Sequence, residues 1–163
     1  MSEPASEAQF ITPPNTLKAK LGSRLKSFDA SAIARAEAAL AGMSTQFGDW
    51  LNDEIAKIEA AHKIILEPQA GEKELEAFYR HAHDLKGLGA TYGFPIVSQF
   101  AASLTKLIDS PEGRLKAPKQ LLSAHVGAIV AAVRQEIKDT THPIGAALLA
   151  ELTAQVAKYH DGQ

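Results

Sequence analysis

The sequence predicts an all-α protein: a four-helix up-and-down bundle with additional helical segments at the N-terminal and C-terminal ends. Apolar residues recur at spacings of three and four over long stretches, which is the pattern of an amphipathic helix with one buried face. No stretch alternates apolar and polar residues with a period of two, so strands are not expected. Short turns rich in proline and glycine separate the helical stretches, and such turns favour antiparallel neighbours.

The chain is long enough to bury one core, with 163 residues of which 45% are hydrophobic. We assign residues 29–163 to the bundle with its extra C-terminal helix, and residues 1–28 to an N-terminal tail followed by a short amphipathic segment. Apolar and basic side chains take opposite sides of that segment: Leu17, Leu21, Leu25 and Phe28 against Lys18, Lys20, Arg24 and Lys26. Its short length and narrow stripe favour a peripheral helix packed on its own domain over one bound at a membrane surface.

The first two bundle helices are predicted from capping signals and periodicity. The first begins at a capping residue, Asp29 or Ser31, and runs to about Leu66. Its apolar residues are spaced for burial: Ile33, Leu40, Met43, Phe47, Trp50, Leu51, Ile55, Ile58 and Ile65. The second helix is predicted from Glu72 to about Thr91.

Proline and glycine mark the limits of the remaining helices. Residues 93–95, Gly-Phe-Pro, are predicted to end the second helix and to begin the third, which runs to about Ile108. Residues 110–113, Ser-Pro-Glu-Gly, are predicted to be a closing turn. A fourth helix is expected from about 118 to 138, and a last one after the His-Pro pair at 142–143.

Composition excludes several classes of protein. The chain has no cysteine, so disulfides and thiolate metal sites are excluded. Its N-terminus lacks the basic start and apolar stretch of a signal peptide, and no run approaches the roughly 20 apolar residues of a membrane span, so we expect a cytoplasmic protein. With 17 basic and 19 acidic residues it has no general attraction for nucleic acid. No phosphate-binding loop or nucleotide lid is visible, so no kinase activity of its own is expected.

One helical face stands out in the sequence HDLKGLGATYG, residues 83–93. His83, Lys86, Gly87 and Ala90 lie at i, i+3, i+4 and i+7, so they share a face that has almost no bulk. Apolar side chains form the opposite stripe: Phe78, Ala82, Leu85, Leu88 and Tyr92. His83 is therefore expected to face water as a nucleophile, with Lys86 able to neutralise a phosphoryl group on the ring. The alternative is an ordinary surface histidine beside two glycines, Gly87 and Gly89, that have no role. Against it, each glycine inside a helix costs about 0.5–1 kcal/mol relative to alanine, and two occur within one turn.

The same eleven residues resemble the phosphoacceptor motif of histidine-containing phosphotransfer (HPt) domains. That motif has histidine, lysine at +3, glycine at +4, a small residue at +7 and glycine at +10, and all five positions match. The resemblance continues into the next helix through the apolar residues Val97, Phe100 and Leu104, and it covers about residues 30–140 as a pattern of long helices.

The resemblance implies a function and a set of site residues. In that family the histidine takes a phosphoryl group from an aspartate of one receiver domain and gives it to an aspartate of another. By resemblance His83 is the phosphoacceptor, Lys86 supports the phosphoryl charge, and Gly87 and Gly93 are small positions that permit close docking. Many members carry Gln or Glu 22 residues after the histidine, in contact with the ring. This chain has Thr105 there, whose shorter side chain could still form a hydrogen bond.

The implied partners are receiver domains of a hybrid histidine kinase, of response regulators, or of both, and the chain is expected to be a monomer. The docking surface is predicted to comprise residues of the histidine helix and its turn, and residues placed by helical phase on the next helix: Arg80, Gly87, Ala90, Thr91 and Gly93, with Gln99, Ala102, Ser103 and Lys106. No metal and no cofactor is expected on this chain, because the receiver's acidic pocket and its Mg²⁺ can supply charge neutralisation.

The other histidines are interpreted as structural. His81 and His83 point about 200° apart on a helix, so they cannot share one ion. His81 is expected near the core edge with a local hydrogen bond. His62 and His125 are expected in core or boundary positions, and His142 and His160 fall near helix ends.

Two other functional classes remain open on the sequence alone. The pair His83-Asp84 superficially resembles the dyad of HD-type metal phosphohydrolases, which require further histidines and an aspartate converging on the ion. Phosphodiesterase activity with added manganese would support that alternative. The second is a passive helical interaction module, which a lack of phosphoryl transfer to His83 would favour.

Overall fold

The computed structural model describes residues 30–162, so the tail and amphipathic segment expected at residues 1–28 lie outside it. Six α-helices and no strand occur in this range, which confirms the all-α prediction. In chain order they are α1 (Ala30–Leu66), α2 (Glu72–Leu88), α3 (Pro95–Leu107), α4 (Pro111–Lys116), α5 (Lys119–Arg134) and α6 (Pro143–Asp161). None of these six helices is both long and apolar enough to span a membrane.

Signals at the helix N-termini act as the sequence predicts at α3 and α6. Pro95 and Pro143 occupy the first turns of these helices, where a missing N–H costs nothing and the fixed φ suits the helix. At α2 the backbone N–H of Gly71 donates to the Glu74 carboxylate at 3.0 Å, and this hydrogen bond lowers the pKa of Glu74. Local sequence therefore determines where these helices begin.

The prediction that residues 110–113 form only a closing turn is wrong. They begin α4, a six-residue helix in which Ser110 is the N-cap and its Oγ accepts a hydrogen bond from the Gly113 N–H at 3.0 Å. Serine followed by proline and an acidic residue is a helix-start signal as well as a turn signal.

The helix predicted to reach Lys138 ends earlier, at Arg134. Glu136 adopts a positive φ of 53°, and the Ile137 N–H donates to the Ala132 carbonyl at 2.8 Å. This is a Schellman motif, which closes a helix through a left-handed residue that is usually glycine. Because glutamate holds that position here, the sequence carries no stop signal.

The core surrounds α3, which lies next to α2, α5 and α6. Its largest fully buried side chains come from four helices and the residue after α3: Leu51 and Ile58 from α1, Phe78 and Leu85 from α2, Ile96, Phe100, Leu104 and Leu107 from α3 with Ile108 just beyond it, and Leu122, His125 and Ile129 from α5. The α6 helix adds Leu152 and Val156. Polar contacts fix α1 to α5, since Arg134 pairs with Glu59 at 3.2 Å and Lys119 donates to the Leu66 carbonyl at 3.1 Å.

The structure divides into two units after Leu40, and the described residues of the two units are 30–40 and 41–162. The described part of the first, residues 30–40, is helical and exposed. The burial predicted for part of α1 is wrong, because Ile33, Leu40, Met43 and Trp50 are 42%, 65%, 46% and 47% exposed. Leu51, Ile55, Ile58 and Ile65 are buried as predicted. Periodicity identifies a face that can be buried, but burial needs a neighbouring element.

His125 is completely buried in α5, in agreement with its predicted core position. Its Nδ1 lies 2.8 Å from the Leu121 carbonyl oxygen and its Nε2 lies 3.0 Å from Ser103 Oγ. A carbonyl can only accept, so Nδ1 donates to it. Burial lowers the pKa of His125, which favours the neutral imidazole, and the unprotonated Nε2 of a neutral ring accepts from the serine hydroxyl.

The free energy of unfolding is therefore expected to fall as the pH drops from about 6.5, the ordinary pKa of histidine. Below that pH the unfolded chain binds a proton at His125 that the folded protein excludes, so stability decreases by at most about 1.4 kcal/mol per pH unit. Denaturant titrations at pH 7 and pH 5 measure this slope. His125→Gln should flatten the slope, whereas a control replacement of the exposed His142 should not. An unchanged slope in the His125 variant would contradict the assignment.

Candidate functional site

His83 lies in the last third of α2 with its side chain exposed. Lys86 and Gly87, one turn further on, are exposed as well, while Ala82 and Leu85 are fully buried. The buried side chains pack into the core around α3, so they fix the orientation of the helix. The face that carries the imidazole is thereby turned to solvent.

Among the described residues, the imidazole of His83 is in contact with one aromatic ring, that of Tyr79. The two ring centroids are 6.1 Å apart and the planes are tilted by 40°. Within residues 30–162 neither ring nitrogen of His83 takes part in a hydrogen bond or an ion pair. Both nitrogens are therefore open to a group brought by another molecule.

Lys86 presents an ammonium on the same face, one helical turn after His83. It makes no hydrogen bond and no ion pair with any other described residue. Lys57, on α1, differs, because its Nζ donates to Glu54 Oε1 at 2.6 Å. The charge of Lys86 is thus free to meet an anion that arrives at the imidazole.

Three glycines of the segment have three different structural settings. A methyl group added to Gly87 would have no described atom within 4 Å, so the surface beside His83 is open there. Gly89 is buried, and an added methyl would lie 2.7 Å from the Ser98 backbone nitrogen and 2.8 Å from its Oγ. Gly93 has φ of +85°, and the next residue's N–H bonds to the Gly89 carbonyl at 2.8 Å.

Gly93 therefore ends the helical turn in a left-handed conformation that other residues rarely adopt. The resemblance implies that Gly93 is a small position for docking, but its backbone conformation is sufficient reason for glycine. Gly89, for which the sequence predicts no specific role, allows α2 and α3 to approach each other closely, and Ser98 Oγ accepts a hydrogen bond from the Ala90 N–H at 2.8 Å. The sequence does carry an indication of a role for Gly89, because a second glycine within one helical turn has a free-energy cost relative to alanine.

The residues predicted for docking are mostly exposed: Arg80, Gly87, Ala90, Thr91, Gly93, Gln99 and Lys106. Ala102 is half-buried. Ser103 is a correction, because it is only 8% exposed and its hydroxyl bonds His125 inside the core. It follows the buried Phe100 by three residues, which places it on the buried stripe of α3.

Thr105 also lies in the core, 5% exposed. Its hydroxyl donates to the Ala102 carbonyl oxygen at 2.9 Å, so its proton is committed to its own helix. Among the residues that the structure describes, no hydrogen bond joins it to His83. The contact anticipated for the position 22 residues after the histidine is therefore not formed.

A second polar cluster lies between α1 and α2. The ligand atoms of Glu54, His81 and Asp84 all lie within 4.8 Å of one another, so this set could hold a metal ion. The hydrogen bond from Lys57 to Glu54 brings an ammonium to the same group, and it raises the pKa of Lys57, with further effects of Asp53 and Asp84. This cluster cannot be predicted from helical spacing, because Glu54 comes from another helix.

His81 itself is half-buried, as expected for the core edge. Its Nδ1 is buried and has no hydrogen-bond partner in the described part of the chain, so the local hydrogen bond predicted for it is not formed. His62 is half-buried too, and its Nε2 lies 2.9 Å from Ser123 Oγ. Since that hydroxyl donates to the Lys119 carbonyl at 2.9 Å, the His62 Nε2 is the donor. Burial lowers the pKa of His62.

The arrangement around His83 suits chemistry carried out with a protein partner. A nucleophilic ring nitrogen, an uncommitted ammonium and an open surface lie on one rigid helix, and nothing within residues 30–162 covers them. Residues 42–141, which include the whole of the segment 83–93, match the family model of the Hpt domain. The chain belongs to the Hpt domain family. Comparison with curated proteins and with solved structures finds no match.

Membership of the Hpt family agrees with the resemblance carried by residues 83–93 and with its extent along the chain. Hpt domains are phosphocarriers rather than enzymes, and they act in phosphotransfer of two-component signalling through receiver domains. This favours phosphotransfer over the two alternatives, the metal phosphohydrolase and the passive interaction module.

Proposed function

We propose that this Hpt protein is an intermediate of a multistep phosphorelay, which carries a phosphoryl group on His83 between the aspartates of two receiver domains. The observation that supports it best is the imidazole itself: exposed, without a hydrogen bond in residues 30–162, and beside the open surface at Gly87. A buried or hydrogen-bonded ring would have to be released before it could attack. This ring is accessible as it stands.

In the first transfer, the lone pair of a His83 ring nitrogen forms a bond to phosphorus. The bond between phosphorus and the receiver's aspartate oxygen breaks, and that oxygen leaves as a carboxylate. The imidazole carries a positive charge until its other ring nitrogen releases a proton to water. In the second transfer the ring regains a proton, the next receiver's carboxylate attacks phosphorus, and the P–N bond breaks to leave neutral imidazole.

The receiver supplies the remaining charge neutralisation through its acidic pocket and Mg²⁺, so this chain needs no metal or cofactor for the step. Incubation of the protein with a panel of phosphorylated receivers tests the proposal. Label should leave one or more of the receivers and appear on His83, and incubation with ATP alone should give no label. A protein that accepts label from no receiver would be a passive interaction module.

Replacement of Gly87 tests whether its open surface is the docking surface. Leucine there should block receiver binding by its bulk, while alanine, which has no neighbouring atom within 4 Å to displace, should bind far better. Receiver affinity measured by titration for both variants decides the matter. Unimpaired binding by Gly87→Leu would show that the receiver docks elsewhere.

Removal of the Lys86 ammonium is expected to slow transfer without unfolding the protein. The side chain is exposed and unpaired among the described residues, so Lys86→Ala should leave the fold intact and reduce the transfer rate or phosphohistidine lifetime by roughly tenfold or less. Lys86→Arg should retain much of the effect. Single-turnover transfer at two ionic strengths measures it. Equal rates for wild type and Lys86→Ala at low salt would show that Lys86 is only a solvated surface residue.

A further inference from the structure

Tyr79 lies one helical turn before His83 on α2, and within residues 30–162 its ring is the one that contacts the imidazole. Besides the 6.1 Å contact between the two centroids, Tyr79 donates a long hydrogen bond from its hydroxyl to Asp109 Oδ1 at 3.4 Å. Asp109 lies just beyond the end of α3. The tyrosine ring is thus tied at its far end to the segment that follows α3, outside the helix that carries it.

Arg114, from the short helix α4, holds the same tyrosine ring. The central carbon of its guanidinium lies 4.0 Å from the ring centroid, which is a close cation–π contact. The Arg114 side chain is only 11% exposed, and it pairs with Glu76 on α2. Its Nε donates to the Ile108 carbonyl at 3.0 Å, and its Nη2 to the Asp109 carbonyl at 3.3 Å.

The guanidinium is therefore fixed from two directions, by a carboxylate on α2 and by two carbonyls at the end of α3. A guanidinium held by several hydrogen bonds has little freedom, because its donors form a rigid planar fork. The ring of Tyr79 consequently rests against a fixed surface. The positive charge of Arg114 is already compensated by Glu76. Arg114 therefore acts on Tyr79 by holding its ring in place rather than through its electric field at the imidazole.

We propose that Tyr79, held in place by Arg114, is a positioning residue for the His83 imidazole. Two observations point to it. The ring of His83 has no hydrogen bond within residues 30–162 to orient it, and the side chain at the position 22 residues further on, Thr105, is committed to its own helix. The Tyr79 ring is then the contact that limits rotation of the imidazole. This also gives α4 a role, since it delivers Arg114.

The consequence of this role for phosphoryl transfer rests on the proposed function. An imidazole with fewer accessible orientations spends more time with a ring nitrogen aimed at phosphorus, so transfer should be faster. Aromatic pairs contribute about 0.5–1.5 kcal/mol beyond the burial of their area, which corresponds to about two- to twelvefold in rate. The effect should therefore appear in the rate of transfer within the docked complex rather than in receiver affinity.

The first measurement does not involve phosphorylation. Proton NMR of the unphosphorylated protein reports the ring-current shift of the His83 imidazole protons and the rotamer averaging of its side chain. Tyr79→Leu, which removes the ring but keeps apolar volume, should move these signals and increase averaging. Tyr79→Phe, which keeps the ring and loses the hydroxyl, should leave them close to wild type. Leu115→Ala, an exposed change on α4, is the control.

The second measurement is single-turnover transfer from a saturating phosphorylated receiver, with receiver affinity and melting temperature measured beside it. Tyr79→Leu is expected to transfer about two- to twelvefold more slowly with unchanged affinity. Arg114→Gln should have a smaller effect of the same kind, and it carries the test through both measurements if Tyr79→Leu fails to fold.

The proposal would be overturned if Tyr79→Leu showed both the imidazole signals and the transfer rate of the wild type. If only Arg114→Gln folds, the same result in that variant would overturn it. A protein that accepts no phosphoryl group would overturn the proposed function instead, and the NMR measurement would still decide whether Tyr79 orients His83. A change in receiver affinity without a change in the transfer rate of the complex would make Tyr79 a docking residue and would likewise overturn the positioning role.

Discussion

Replacing His83 by glutamine is expected to abolish phosphoryl acceptance while leaving the helical content and the melting temperature nearly unchanged. The imidazole is exposed and makes no hydrogen bond with any described residue, so its loss removes mainly the ring contact with Tyr79. The free energy of unfolding should fall by about 0.5 kcal/mol, the low end of the range for aromatic pairs. Glutamine keeps a polar side chain of similar size but has no nucleophilic ring nitrogen. Transfer from a labelled receiver and thermal unfolding followed by circular dichroism measure the two effects.

His81→Gln is the matched control, because His81 is the nearest other histidine in the chain and lies half-buried at the edge of the core. This variant should still become labelled. If the His83 variant were labelled on histidine as the wild type is, the phosphoacceptor would be a different residue, and His81 would be the first to examine.

Replacing Gly89 by alanine is expected to destabilise the protein by about 1–3 kcal/mol, because the new methyl group would lie 2.7 Å from a backbone nitrogen of α3. A backbone atom inside a packed helix cannot move away cheaply. The gain in helix propensity from glycine to alanine offsets at most about 1 kcal/mol of this. Denaturant titration measures the difference in the free energy of unfolding.

Gly87→Ala provides the matched comparison two residues away. Its methyl would meet no atom within 4 Å, so only the propensity gain remains, and the protein should become about 0.5–1 kcal/mol more stable. The two variants should therefore differ in sign. Equal stability of the two would mean that α2 and α3 do not approach each other as closely at Gly89 as the structure has them.

The parts of the fold that local sequence controls were predictable. Helix starts at Pro95 and Pro143 depend on residues within a turn of the start, and they lie where the sequence places them. The exposed face of His83 was predictable for the same reason, since the spacing of Ala82 and Leu85 fixes which side of α2 is buried.

What could not be predicted depends on residues far apart in the sequence. The residues near Met43 in the sequence do not show whether a second helix covers that apolar face of α1. The sequence likewise does not show that Glu54 lies close to His81 and Asp84. The contact of Arg114 with Tyr79 depends on α4, where the sequence predicts only a turn at residues 110–113. Ser103 was misplaced because a phase error of one residue moves a side chain by about 100° around a helix.

The central claim, that His83 carries a phosphoryl group from one receiver to another, is tested most directly by a chase experiment. A receiver with labelled aspartyl phosphate is mixed with this protein, the labelled protein is separated and the site mapped by mass spectrometry, and a second receiver is then added. We expect the label on His83 alone, and its subsequent transfer to the aspartate of the second receiver. Label on any other residue, or label on His83 that no receiver removes, would contradict the account.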